Sequence, residues 1–166
     1  MFVFRPVTEA DLPLLLRWLA EPHVRRWWGE PEVEAEEIRG HFSDPLVNPY
    51  LVLLDGEPIG YIQSYVVDGP EHPYGDQPAG TVGIDQFIGP RSHIGRGLGP
   101  QMIEAFVAGL FEQGVERIII DPHPDNRPAI RAYEKAGFRV FDQRQTEDGP
   151  ALMMARDRAR RRERDD

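Results

Sequence analysis

Ile94-Gly95-Arg96-Gly97-Leu98-Gly99-Pro100 runs straight into Gln101-Met102-Ile103-Glu104-Ala105-Phe106-Val107-Ala108-Gly109-Leu110-Phe111. Glycines at alternate positions admit φ > 0 just where an amphipathic helix should begin, so successive N–H groups can converge on one point. The unpaired N–H groups of the helix start lie beside them, and the helix dipole adds partial positive charge. Such a place holds phosphate. A flexible glycine-rich loop is the other reading of the same residues, because short glycine motifs match by chance. What flanks the segment decides between the two.

Upstream, Phe2 to Val7 predicts a first strand, and Thr8-Glu9-Ala10-Asp11 is a capping-box pattern before Leu12, Leu15, Leu16 and Leu19 at helical spacing. Pro22 ends that helix, and a second, polar helix is expected from Val33 to Phe42, which leaves Trp27 and Trp28 in the break between them. Tyr50 to Leu54, the turn Asp55-Gly56, and Pro58 to Val67 predict a β-hairpin. Gly69 to Gly80 reads as a loop, and Thr81 to Ile88 as the strand leading into the glycine segment. That segment's helix should end near Gly114, followed by a short buried strand from Glu116 to Asp121. Asn126 caps a helix to Ala136, with Gly137 placed as its C-terminal glycine. Phe138 to Gln145 and Ala151 to Arg156, joined by Asp148-Gly149, predict a last hairpin. With no repeat and no linker, these elements predict one α/β domain with a mixed sheet over residues 1–157.

A chain of 166 residues is long enough for a proper hydrophobic core. No apolar run approaches the ~18 residues of a membrane helix, and the N-terminus is too soon interrupted for a signal peptide. The absence of cysteine excludes disulfides, thiolate nucleophiles and Cys-ligated metals, and fits the cytoplasm. A formal charge of −9 weighs against nucleic acid and suits a cationic partner, although plain solubility explains it as well. The Arg-rich residues 158–166 read as a basic, frayed tail. His23, His41, His72, His93 and His123 have no metal-ligand spacing, so no metal is expected.

The glycine segment is followed, one strand later, by Asn126-Arg127-Pro128-Ala129-Ile130-Arg131-Ala132-Tyr133-Glu134-Lys135-Ala136-Gly137-Phe138. In this order the pair resembles the GNAT superfamily of acyl-CoA-dependent N-acetyltransferases. That resemblance implies a mostly antiparallel sheet splayed at a central parallel pair and flanked by helices. It also implies acetyl-CoA held by Gln86, Phe87, Ile88, Gly95, Arg96, Gly97, Leu98, Gly99, Pro100, Asn126, Ala129 and Tyr133. Ile94 departs from the usual Gln or Arg at the loop's opening and removes one side-chain contact. Trp27-Trp28-Gly29, Asp55 to Tyr65, Gly83-Ile84-Asp85-Gln86, Asp121 to Asn126 and Asp148-Gly149-Pro150 resemble the aminoglycoside 6′-N-acetyltransferases, over roughly residues 2–156. The implied substrate is a cationic aminosugar, with no nucleic acid or membrane partner, taken by a monomer or homodimer. The loop Gly69 to Gly80, with His72, Tyr74 and Asp76, departs from those relatives and bears on substrate range.

In the implied arrangement Asp85 binds the substrate ammonium and accepts its proton, and Tyr133 returns a proton to the departing thiolate. Each residue has a plainer account. Asp85 can sit on a strand's solvent face, and Tyr133 can pack against Phe138. Asp121 can be a turn residue before Pro122, Asp148 the hairpin turn, Asn126 a helix cap, and Gln63 a satisfied sheet residue. Together Asp85, Asp121 and Asp148, with Gln63 and one of Trp27 and Trp28, would suit several ammonium groups. The rivals are a siderophore-precursor hydroxylamine acyltransferase, whose members place His at the position of Asp85, and a non-catalytic acyl-CoA-binding regulatory module.

Overall fold

The computed structural model describes residues 1–67 and 74–159. Its strands are β1 (Phe2–Pro6), β2 (Val47–Leu54), β3 (Glu57–Val66), β4 (Val82–Ile88), β5 (Arg117–Ile120), β6 (Arg139–Thr146) and β7 (Gly149–Asp157). The helices are α1 (Leu12–Leu19), α2 (Pro22–Trp28), α3 (Pro31–His41), α4 (Leu98–Glu112) and α5 (Arg127–Lys135). One sheet runs in the order β1-β2-β3-β4-β5-β7-β6. Every neighbouring pair is antiparallel except β4 and β5, which are parallel. This is the splayed α/β arrangement expected from the sequence. None of the described helices is long and apolar enough to cross a membrane.

The turn chemistry works as written in the sequence. Asp55 (φ 50°) and Gly56 (φ 85°) both take the left-handed conformation that a two-residue hairpin demands. Gly137 (φ 87°) lets the Phe138 N–H return to the Tyr133 carbonyl at 3.0 Å, closing α5. Thr8 and Asp11 form the capping box, with the Thr8 N–H donating to Asp11 Oδ2 at 2.8 Å.

The two largest of the three core clusters among the described residues lie on opposite faces of the sheet, because strand side chains alternate between its faces. Ile62, Ile84, Ile118 and Ile120 pack against Met102, Phe106 and Val107 of α4 and against Phe138. On the other face Leu51, Tyr61 and Phe87 pack against Leu15, Trp18 and Leu19 of α1, Val24 of α2 and Ile38 of α3.

Three expectations change. Pro22 does not merely end α1; it opens α2, where its missing N–H costs nothing because a first-turn N–H has no helical partner. Trp27 and Trp28 therefore lie in the last turn of a helix and not in a break. Arg158, assigned to the tail, is tied down: its N–H donates to the Glu116 carbonyl at 2.8 Å and its guanidinium reaches the Glu116 carboxylate at 3.4 Å. Residues 160–166 of the tail, and His72 of the loop, lie outside the described residues.

Candidate active site

The cleft begins where two strands part. β4 and β5 pair only at Val82 with Ile118 and Gly83 with Ile119, and then diverge. Asp85 lies just beyond the last pair on one wall, and Asp121 just past the end of β5 on the other. Gln63 of β3 sits opposite Asp85 in register, and its Nε2 donates to Asp85 Oδ2 at 3.0 Å. Its Oε1 accepts the Tyr61 hydroxyl at 2.5 Å, so both ends of the amide are fixed. Tyr61, Gln63 and Tyr65 alternate along β3 and share a face. The Tyr65 hydroxyl bonds that of Tyr74, and the Tyr74 hydroxyl bonds Asp121. Gly83 makes this possible, because a Cβ there would lie 2.3 Å from the Tyr65 ring. Each carboxylate thus accepts a hydrogen bond from a chain anchored in buried tyrosine.

The tryptophans divide. Trp28 packs edge-on against Phe87 at 5.1 Å and Tyr61 at 6.0 Å, backing the Asp85 wall. Trp27 reaches the far side of the cleft, where its ring lies 5.7 Å from that of His123, and the Arg26 guanidinium covers it at 4.7 Å. Asp148 is exposed at the β6–β7 turn.

The opposite face of β4 carries the second set. Gln86, adjacent to Asp85 and so directed to the other side, donates from Nε2 to the Tyr133 hydroxyl at 2.6 Å. Tyr133 also packs at 6.4 Å from the Phe138 ring, the packing contact expected of it. Gly95 (φ 76°) and Gly97 (φ 73°) take left-handed backbone before α4. A Cβ at Gly95 would meet nothing within 4 Å, so the space beside it, just before the helix start at Leu98, Gly99 and Pro100, is open. Asn126 caps α5, accepting the Ala129 N–H at 3.4 Å. The Phe87 side chain is buried in the core, stacked 5.5 Å from Tyr61, which leaves its backbone for any contact with a ligand. The Ile88 carbonyl is already engaged, 2.9 Å from His23 Nε2. Gln86 Oε1 is a buried acceptor with no hydrogen-bond partner among the described residues, which fits a ligand bearing an amide N–H.

Residues 7–146 match the acetyltransferase (GNAT) domain family. The chain belongs to the GNAT acetyltransferases. This acetyltransferase is 40% identical over 164 residues to the aminoglycoside N(6′)-acetyltransferase type 1 of Klebsiella pneumoniae, covering 93% of this chain and 82% of that protein. It superposes with a TM-score of 0.84 and 38% identity on the crystal structure of aminoglycoside acetyltransferase AAC(6′)-Ib with coenzyme A and kanamycin, covering 95% of each chain. A lysine N-acyltransferase of Mycobacterium tuberculosis is more distant, at 29% identity over 144 residues, covering 82% of this chain and 68% of that one.

The electrostatics of the acetyltransferase's cleft are those of crowded carboxylates. Burial raises Asp85, while the Gln63 hydrogen bond opposes the rise. Burial and the charge of Asp85 raise Asp121, against the hydrogen bond from Tyr74. Glu34 of α3 joins them, pushed up to about 7 by burial and by Glu37, Asp148 and Asp85. Burial and the negative charge of Asp85 also raise Tyr61, Tyr65, Tyr74 and Tyr133, so these phenols stay protonated donors.

Sequence reasoning missed Tyr61 and Glu34. The first had a signal, since the spacing that places Gln63 and Tyr65 on one face places Tyr61 there too. Glu34 had none: it stands among Glu32, Glu36 and Glu37 on a polar helix, and only the tertiary fold turns it inward.

Proposed function

We propose that the chain transfers acetyl from acetyl-CoA to the 6′-amine of aminoglycoside antibiotics in the cytoplasm, and so confers resistance to them. The observation that carries this reading is the parting of β4 and β5 after Gly83 and Ile119, which puts Asp85 and Asp121 on facing walls of one cleft. Asp85 holds the reacting ammonium and accepts its proton, with Gln63 fixing the carboxylate. A carboxylate beside an ammonium also raises the amine's pKa, so Asp85 works as a base only because its own pKa is raised. Asp121, Glu34 and Asp148 take further ammonium groups, and Trp27 lines the rim, where its indole face suits a sugar or a cation. The chain acts as a monomer or a homodimer.

Acetyl-CoA supplies an acetyl thioester. Gly95 to Pro100 cradle its diphosphate through backbone N–H groups at the start of α4, and Gln86 and Asn126 lie alongside. Tyr133 donates a proton to the departing sulfur. With no cysteine in the chain, the amine attacks directly, and holding the two reactants together is worth up to ~7–11 kcal/mol in well-oriented cases.

The test is acetyl-CoA-dependent thiol release with a 6′-amino aminoglycoside, its 6′-hydroxyl counterpart and N-hydroxylysine in parallel. Release with the 6′-amine alone is expected. Release with the hydroxylamine alone would move the chain to siderophore assembly, and silence with cofactor bound would make it a regulatory scaffold.

A further inference from the structure

We propose that Gln86 is a positioning residue for Tyr133: its Nε2–H points the phenol's proton away from β4 and stabilises the charge that forms on the phenol oxygen when that proton leaves. This rests on the reading of Tyr133 as the proton donor.

The geometry has three parts. Gln86 Nε2 lies 2.6 Å from the Tyr133 hydroxyl oxygen, short for an N–H···O bond. Because Nε2 has only protons to give, Tyr133 is the acceptor, and its single O–H is left free for another partner. Gln86 is adjacent to Asp85 on β4, so one strand holds a carboxylate on one face and orients the phenol on the other.

The chemistry makes this donor necessary. Tyr133 is a poor acid: burial and the charges of Asp85 and Asp121 hold its proton on, and the Gln86 hydrogen bond is what acts against them. The step breaks the Tyr133 O–H bond and forms an S–H bond on the departing thiolate. The negative charge passes from sulfur to the Tyr133 oxygen until solvent returns a proton. A preplaced N–H 2.6 Å from that oxygen stabilises the charge as it appears, without reorganisation.

The experiment is a double-mutant cycle with Gln86→Met, Tyr133→Phe and the pair, assayed by thiol release, with Gln86→Glu as a fourth variant. Alongside it, the ¹³Cζ resonance of Tyr133 is followed in the protein without substrates, assigned by its loss in Tyr133→Phe. Gln86→Met is expected to lower kcat about ten- to hundredfold and to move the Tyr133 resonance. In the Tyr133→Phe background the same change should cost less than about twofold in kcat. Any contact of Gln86 Oε1 with acetyl-CoA enters KM equally in both backgrounds, which separates it from the effect through Tyr133. Gln86→Glu should be worse than Gln86→Met, because a carboxylate accepts the phenol's proton. It keeps the side chain's volume and polarity, so it supplies a folded comparison if the methionine variant fails.

Equal kcat losses from Gln86→Met in both backgrounds would overturn the proposal while leaving Tyr133 as the donor. So would a Gln86→Glu enzyme that outperforms Gln86→Met, since Tyr133 would then be donating to Gln86. Unchanged turnover in Tyr133→Phe would overturn the donor reading itself, and this inference with it.

Discussion

Replacing Gln63 by methionine keeps the side chain's length and removes both ends of its amide. Gln63 donates to Asp85 at 3.0 Å and accepts from Tyr61 at 2.5 Å, so two effects follow and they have different readouts. A hydrogen bond to an ionised carboxylate is worth about 1.5–3 kcal/mol when well sheltered. Asp85 is only half-buried, so the lower end applies, and at 1.36 kcal/mol per unit the carboxyl rises by about one pH unit. Burial already raises Asp85 and the Gln63 bond holds it down, so the shift is upward. The competent base is the carboxylate. The acidic limb of kcat/KM, which belongs to the Asp85–Asp121 pair, therefore moves to higher pH by about one unit, with rates recovering well above it. The substrate's own amine is identical in both profiles and cancels from the difference. Tyr61 is 0% exposed, so its hydroxyl loses an acceptor it cannot replace, at a cost to stability of about 1–3 kcal/mol. The assays are thiol release between pH 5.5 and 9 and thermal unfolding. A limb that stays in place while the melting temperature falls would refute the claim that Gln63 sets the acidity of the base.

Glu34→Gln removes a carboxyl held near 7 by burial and by its charged neighbours, so the ligand-free protein at pH 8 should melt a few degrees higher. The KM for a 6′-amino aminoglycoside should rise about five- to tenfold, as loss of a partly screened ion pair implies; both shifts in the same pair of assays test it. Gly83→Ala places a Cβ 2.3 Å from the Tyr65 ring, which is locked by Tyr74; a loss of about 1–3 kcal/mol by denaturant unfolding is expected, with acetylation impaired. In the ligand-free protein Asp85, Asp121 and Glu34 hold protons more tightly folded than unfolded. The folded state therefore binds more protons than the unfolded one, and the stability these groups contribute falls as pH rises from about 4 towards about 7. A melting temperature measured across that window, without and with aminoglycoside, should show the antibiotic stabilising most at the alkaline end.

The fold was legible because its punctuation is local. Asp55-Gly56, Gly137, Asp148-Gly149 and the Thr8 capping box each specify one backbone shape, and those shapes set the strand order's hairpins and helix ends. Asp85 and Asp121 were legible too, since Asp85 lies on the strand that leads into the glycine segment and Asp121 follows the end of the next strand. Pro22 misled because proline ends one helix and begins another with equal ease, and only the packing of Val24 between α1 and α3 decides it. Glu34 and Tyr74 were hidden for a different reason. Their part in the cleft depends on contacts across the sheet, between segments separated by a helix or a loop, and no periodicity in their own segments records it. Trp27 and Trp28 could not be told apart for the same cause, since a partner at His123 or at Phe87 lies far along the chain.

The carboxylates explain why this cleft suits a polycation and not merely an amine. Burial raises Asp85, Asp121 and Glu34, and the charge of Asp85 raises the other two further, so the ligand-free site resists full ionisation near neutral pH. One ammonium at Asp85 relieves only part of that repulsion, because Asp121 stands on the other wall and Glu34 on α3. A ligand with ammonium groups spread over several sugar rings can neutralise all three at once, and each charge it places lets the neighbouring carboxylate ionise more readily. Binding is then cooperative in charge within a single molecule. A neutral hydroxylamine brings no such charge to the reacting position, so it leaves the Asp85 carboxylate without an ammonium to pair with. The same raised carboxylates that make the empty cleft unfavourable thus favour a polycation over a neutral hydroxylamine.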